Sequence, residues 1–172
     1  MHIFLTGFMG VGKTTIGLQL SEILELDFYD IDQEITNQTG KSINELFEKN
    51  GEEYFRVIEK DTLIKLNAKK NLSVIALGGG TLTDQENRNL VLQNNLCIYL
   101  FKSWEEIEES LPKLKNRPLI NQNSIAELSA IFNKRSSYYE LSQLKMPINT
   151  VFKPQKLANY LKLLVHYSGQ KN

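Results

Sequence analysis

Eight residues, Gly7-Phe8-Met9-Gly10-Val11-Gly12-Lys13-Thr14, constrain this chain more than any other stretch. They read G-x-x-x-x-G-K-[ST], the pattern of a loop that cradles phosphate. The preceding His2-Ile3-Phe4-Leu5-Thr6 is short, apolar and β-prone, as a buried strand would be. Beyond the loop, Ile16, Leu20, Ile23 and Leu24 recur at helical spacing. Strand, loop and helix are the setting the motif requires, which sets it apart from a glycine-rich turn that matches by chance. Glycines at 7, 10 and 12 let the backbone curl without Cβ clashes, so that successive N–H groups converge. The helix aims its positive dipole end at the same point. Lys13 is then placed to reach the β/γ-phosphates of a nucleotide, and the Thr14 hydroxyl to ligate Mg²⁺.

The rest of the chain repeats the alternation. Strands are expected over 1–6, 27–29 (running on into Asp30-Ile31-Asp32), 72–77, 96–101 and 146–150. Helices are expected over 13–25, from Ser42 to the break at Asn50-Gly51, over 52–66, from Thr83 to Asn94-Asn95, behind Ser103, over 124–139, and from Pro154 onward. Residues 33–38 continue as a helical turn that Gly40 stops. Ser42-x-x-Glu45, Thr83-x-x-Glu86, Ser103-x-x-Glu106 and Ser124-x-x-Glu127 read as capping boxes. Residues 111–122 hold Pro112, Pro118 and three cations with little periodicity, a mobile connector. Short apolar strands between helices predict an α/β fold, with a parallel five-stranded sheet covered by helices on both faces. Ligands in such folds bind at the carboxyl ends of the strands. Gly7, Asp30, Asp32 and Gly78-Gly79-Gly80 each follow a strand end, so all should face one crevice.

Composition removes several classes. At 172 residues, 41% hydrophobic and 23% charged, the chain fits one ordinary globular domain. A formal net charge of zero gives no overall attraction for nucleic acid or an anionic membrane. No apolar run approaches the roughly 20 residues of a membrane span, and no leader-like segment precedes the first strand. The single Cys97 lies in an apolar run and reads as a buried strand residue. A reducing cytoplasm fits these features. His2 and His166 have no ligand spacing around them, and Trp104 reads as packing on its helix end.

Two residues apart in extended backbone, Asp30 and Asp32 would share a face and point into the crevice. One could hold Mg²⁺ through water and the other orient a hydroxyl or take its proton; either could instead cap the following helix. The triple glycine suggests backbone N–H groups approached closely by a ligand. Only four of the 20 cations are Arg. Arg117, in Asn116-Arg117-Pro118-Leu119, suits a loop closing over nucleotide. Arg56 and Arg135 sit on helices, where Arg is usually a solvated surface residue, and Arg88 reads as surface.

These pieces, in this order, resemble the shikimate kinases. The resemblance rests on the loop Gly7 to Thr14, Phe28-Tyr29-Asp30-Ile31-Asp32, Gly51-Glu52-Glu53-Tyr54-Phe55-Arg56, Gly78-Gly79-Gly80, Arg117-Pro118-Leu119, and Arg135 with Tyr139. It covers about residues 2–150. It implies a three-layer α/β/α phosphate-loop NTP hydrolase fold of the nucleoside monophosphate kinase-like type, one domain over 1–172, with core 1–110 and 123–172, a mobile lid about 111–122 and substrate-binding helices about 31–62. It implies a monomeric kinase moving phosphate from ATP to the 3-hydroxyl of shikimate. By the same resemblance Gly10, Val11, Gly12, Lys13, Thr14 and Thr15 hold ATP phosphates, Thr14 ligates Mg²⁺, and Asp30 supports the metal through water. Asp32 binds the ring hydroxyls and is the proposed base. Arg56 and Arg135 clamp the substrate carboxylate, Gly79 donates backbone bonds with Gly78 and Gly80 beside it, and Arg117 contacts the nucleotide. Where the family often carries Arg near the adenine, Thr150-Val151-Phe152-Lys153-Pro154 offers Lys153. The alternatives are another small-molecule kinase of this fold, such as a gluconate or nucleotide kinase, and a nucleotide-dependent switch protein.

Overall fold

The computed structural model describes residues 1–114 and 118–169. Five strands, β1 (Ile3–Thr6), β2 (Asp27–Asp30), β3 (Ser73–Ala76), β4 (Leu96–Phe101) and β5 (Leu144–Pro147), form one parallel sheet in the order β2-β3-β1-β4-β5. Among the described residues the helices are α1 (Lys13–Leu24), α2 (Ile31–Thr39), α3 (Ile43–Asn67), α4 (Gln85–Leu92), α5 (Trp104–Ser110), α6 (Pro118–Gln122), α7 (Ile125–Tyr139) and α8 (Pro154–Gly169). The result is the expected three-layer α/β/α arrangement, with α1 and α8 packed together and α5 against α7.

The central strands are fully buried because both sheet faces are covered. Ile3, Phe4 and Leu5 of β1 have no exposed surface, nor do Val74, Ile75, Cys97, Ile98 and Leu100. Each such side chain contributes roughly 1.5–3 kcal/mol by leaving water. The edge strand β5 differs, alternating half-buried Leu144 and Met146 with exposed Lys145 and Pro147. A lysine on an exposed edge discourages pairing with another chain.

Strand order decides what meets at the carboxyl ends. β3 pairs with β1, and Leu77 N–H continues the ladder to Leu5 O at 2.9 Å. The loop after β1 therefore lies beside the loop after β3. β2 pairs with β3, Asp30 facing Ala76, so the β2–α2 corner joins them.

Several local expectations are corrected. The β2 strand ends at Asp30, and Asp32 belongs to the first turn of α2, so the two carboxylates do not share a strand face. Asp30 is instead the cap of α2, its Oδ1 accepting from the Asp32 and Gln33 N–H groups at 3.0 and 3.4 Å. The cap of α4 is Asp84, not Thr83; the Thr83 hydroxyl bonds Gly80 O at 2.6 Å. The segment read as an irregular connector contains a 3₁₀ turn over Leu111–Lys113 and helix α6. β5 starts two residues before its expected position. The capping boxes of Ser42, Ser103 and Ser124 form as expected. Asn50-Gly51 breaks α3, with Gly51 at φ 80°, ψ 171°.

Candidate active site

The loops after β1 and β3, the β2–α2 corner and residues of α1, α2, α3, α6 and α7 build the site. Gly7, Gly10 and Gly12 all have positive φ, at 141°, 79° and 99°. A side chain at Gly7 would put Cβ 2.3 Å from Leu100 O, so the close turn off β1 needs glycine there. The Lys13 ammonium rests on the loop's own carbonyls, donating to Gly7 O at 2.8 Å and Phe8 O at 3.1 Å. Met9, Gly10, Gly12, Lys13, Thr14 and Thr15 line a cavity of about 290 Å³. Val11 has a different part. Its side chain is 1% exposed and belongs to the core, so only its backbone serves the loop.

The Thr14 hydroxyl donates to Asp30 Oδ2 at 2.6 Å, while the other Asp30 oxygen caps α2. Asp30 thus caps α2 and holds the Thr14 hydroxyl at once. A hydroxyl and a carboxylate side by side at the loop's mouth are hard oxygen donors that suit Mg²⁺. Among the described residues no group of three His, Cys, Asp or Glu could hold a metal. Such an ion would complete its shell with phosphate oxygens and water, as Mg²⁺ commonly does.

A second cavity, of about 110 Å³, opens beside the first. Its polar walls are Asp32, Glu52, Arg56, Glu59, Gln122 and Arg135, with the Gly78-Gly79-Gly80 backbone beneath and Phe47, Phe55 and Leu119 adding apolar surface. Both cavities are bounded by Met9, Asp32 and Gly79. The helical placement of Asp32 therefore still brings its carboxylate to the crevice, by another route than the sequence suggested.

Arg56 and Arg135, surface residues by default, converge here. Arg56 Nη1 bonds Glu59 Oε2 at 2.7 Å, and its Nη2 and Nε bond Glu52 Oε1 at 2.8 and 3.2 Å. Burial opposes the Arg56 charge, but the two glutamates outweigh it and raise its pKa. Arg135 has the reverse balance. Burial is the largest influence, Arg56 adds repulsion, and its pKa is lowered. Arg135, rather than the already paired Arg56, is the guanidinium whose charge an anion in the cavity would relieve.

The sequence reading missed Glu59 in the cavity wall and gave Tyr139, quoted with Arg135, no role; Arg88, read as surface, lines neither cavity but holds the turn behind the triple glycine. Glu59 is 1% exposed and accepts the Thr81 hydroxyl on its second oxygen at 2.7 Å. Desolvation pushes its carboxyl pKa up, against the pull of Arg56. The Tyr139 hydroxyl donates to Gly79 O and is hydrogen-bonded by Arg135. Arg88 donates from Nη1 to Leu82 O and Thr83 O, each at 2.8 Å, and covers the Tyr138 ring. It braces the turn after the triple glycine to α7. A signal for Glu59 was present, since Arg56 and Glu59 are three apart on one helix; its burial was not readable. Arg117 lies outside the described residues.

Fold and loop together define a phosphate-loop kinase. The sequence profile described as Shikimate kinase matches residues 9–164. A shikimate kinase of Bacillus subtilis (strain 168) is 38% identical over 161 residues, 93% of this chain and 86% of that one. Among solved structures, the shikimate kinase from Acinetobacter baumannii in complex with shikimate superposes with a TM-score of 0.84 at 34% identity, covering 99% of this chain and 95% of that chain. Shikimate kinase from Aquifex aeolicus gives a TM-score of 0.79 at 31% identity, covering both chains completely. The chain belongs to the shikimate kinase family and is an ATP-dependent kinase of that family.

Proposed function

We propose that ATP phosphates occupy the cavity of about 290 Å³, that shikimate occupies the cavity of about 110 Å³, and that the γ-phosphoryl group passes between them to the 3-hydroxyl. The observation that carries this reading is the wall the two cavities share at Asp32 and Gly79. A hydroxyl held by Asp32 would lie at the junction, where the transferred group must pass. The shikimate bound in the Acinetobacter baumannii relative supports the choice of acceptor.

In this reading Gly10, Val11, Gly12, Thr14 and Thr15 hold the phosphates with Lys13, whose ammonium moves from the Gly7 and Phe8 carbonyls to the β/γ-oxygens. Thr14 and, through water, Asp30 would hold Mg²⁺, which would supply charge neutralisation at the phosphates. Arg56 and Arg135 grip the substrate carboxylate with two forks, and Gly78, Gly79 and Gly80 contribute backbone donors. Asp32 orients the hydroxyl. Its oxygen forms a bond to the γ-phosphorus as the bond to the β–γ bridging oxygen breaks, and the hydroxyl proton leaves toward Asp32. Residues 111–122 act as the lid, with Arg117 on the nucleotide and Lys153 on the adenine side. A monomer in the cytoplasm belongs to the same reading; among the described residues no helix is long and apolar enough to cross a membrane.

A coupled ADP-release assay with shikimate, gluconate and a few other hydroxy acids tests it. ADP release should depend on shikimate and Mg-ATP, and Lys13→Ala should lower turnover by at least a hundredfold. Gluconate-dependent release without a shikimate response would replace the acceptor, and near-normal kcat in Lys13→Ala would remove the loop's assigned role.

A further inference from the structure

Arg56 is held by two glutamates that differ in kind. Glu59 is buried and pinned by the Thr81 hydroxyl, so its hold on Nη1 is fixed. Glu52 has a side chain 61% exposed and uses one oxygen, Oε1, for both Nε and Nη2. It follows directly on Gly51, where α3 breaks. The Nε–Nη2 edge is one that can take a carboxylate with two parallel bonds. The other edge is crowded, since a Cβ on Gly80 would lie 2.5 Å from Nη2 and 2.8 Å from Nη1. A ligand carboxylate seeking Arg56 therefore meets an edge already taken by a carboxylate.

Charge points the same way. Arg56 and Arg135 face Asp32, Glu52 and Glu59 around the cavity. A further carboxylate entering while Glu52 stays would meet three negative groups against two positive ones. Glu52 alone of the three is mostly in water, and it can leave without burying or stranding charge.

We infer that Glu52 is a removable stand-in for the ligand's carboxylate, holding the Nε–Nη2 edge of Arg56 until an entering carboxylate displaces it. This rests on the reading that Arg56 receives the substrate carboxylate. The consequence is selectivity. An acid replaces what it displaces, whereas a molecule without a carboxylate finds Arg56 occupied and the cavity narrowed by Glu52. Stray small anions are disfavoured by the same competition.

The test measures the Kd and KM of shikimate, and the Kd of its uncharged methyl ester, for the unsubstituted enzyme, Glu52→Gln and Arg56→Lys. An exposed ion pair contributes little, so Glu52→Gln should tighten shikimate by about two- to fivefold, lowering KM by the same factor, without tightening the ester. Unchanged or weaker shikimate binding in Glu52→Gln overturns the inference, for Glu52 would then prop Arg56 rather than compete for it. Equal tightening of acid and ester overturns it too, because the effect would be one of space and not of charge. Arg56→Lys separates the underlying reading. It should weaken shikimate at least tenfold, and no weakening there removes Arg56 from the carboxylate site whatever Glu52→Gln does.

Discussion

Gly80 lies against the Arg56 guanidinium with no room for a methyl group, since an added Cβ would stand 2.5, 2.8 and 2.9 Å from Nη2, Nη1 and Cζ. Its φ of −107° is ordinary, so backbone strain is not the issue. The obstacle is the far end of a flexible side chain, which can move. Gly80→Ala should therefore cost less than about 1 kcal/mol of stability in urea unfolding, while raising the shikimate KM about tenfold and leaving the ATP KM within twofold. An unchanged shikimate KM would mean that the position of the Arg56 fork is immaterial to binding. Gly7 makes the contrast, because its missing Cβ would meet Leu100 O, a backbone atom in a buried strand. Single residues were legible where their chemistry is local. The loop glycines, Lys13 and Thr14 announce themselves by spacing. Arg56 and Arg135 do not, because an arginine on a helix looks the same whether it faces water or a cavity. Glu59 was hidden for the same reason. Its burial follows from α3 lying over Gly78 and Thr81, residues about twenty positions away in sequence.

At the scale of elements, α3 is two helical segments joined at Gly51, whose φ of 80° and ψ of 171° no helix allows. The break places Glu52 at the start of the second segment, within reach of Arg56 one turn on. A Cβ at Gly51 would touch nothing within 4 Å, so an alanine there would act through the backbone alone. Gly51→Ala should lower stability by roughly 1–2 kcal/mol, read as a shifted midpoint of urea unfolding with little change in slope. No shift would show that the segment readily straightens, and the Glu52–Arg56 geometry would then depend on something else. The break was readable from Asn50-Gly51 itself, and caps explain why three helix starts were readable. Ser and Glu three apart satisfy one another's backbone within four residues, so Ser42, Ser103 and Ser124 needed no tertiary information. Thr83 misled because the neighbouring Asp84 supplies the cap, and the threonine is drawn to Gly80 O by the tight turn behind the triple glycine. Asp32 misled because the strand stops at Asp30, which caps α2 and bonds Thr14 at once. The alternation of strands and helices set the sheet and its layers. Strand order, which brings the loops of β1 and β3 together, is a matter of long-range pairing and was not written in any one segment.

Over the whole molecule, a parallel sheet separates its two ends. The carboxyl ends carry the loops of the site, and the amino ends carry packing. At the amino end His2 is 2% exposed, its ring edge-on to Phe4 and its Nε2 3.3 Å from Asn67 O. Its backbone N–H donates to Asn95, which in turn bonds Asn67, so β1, the end of α3 and the start of β4 meet around this one side chain. Burial lowers the His2 pKa below the usual 6.5, keeping the folded imidazole neutral. The unfolded chain titrates near 6.5 and so takes up a proton that the folded chain refuses. The stability that neutral His2 contributes is thus complete above about pH 6.5 and drains away as pH falls toward the lower folded value, with a slope of at most about 1.4 kcal/mol per pH unit. Most carboxylates titrate below pH 5, and buried Glu59, with its raised pKa, would favour the folded state as pH falls, so the comparison with His2→Gln isolates the histidine. Urea unfolding at pH 7.5, 6.5 and 5.5 should show the unsubstituted protein losing stability across that interval and His2→Gln losing distinctly less. Because His2 sits at the far end of the sheet from the cavities, the ratio of shikimate KM values between the two proteins should stay constant over the same pH range. Parallel stability curves would remove His2 as the source of acid sensitivity, and a drifting KM ratio would mean that the two ends of the sheet are coupled.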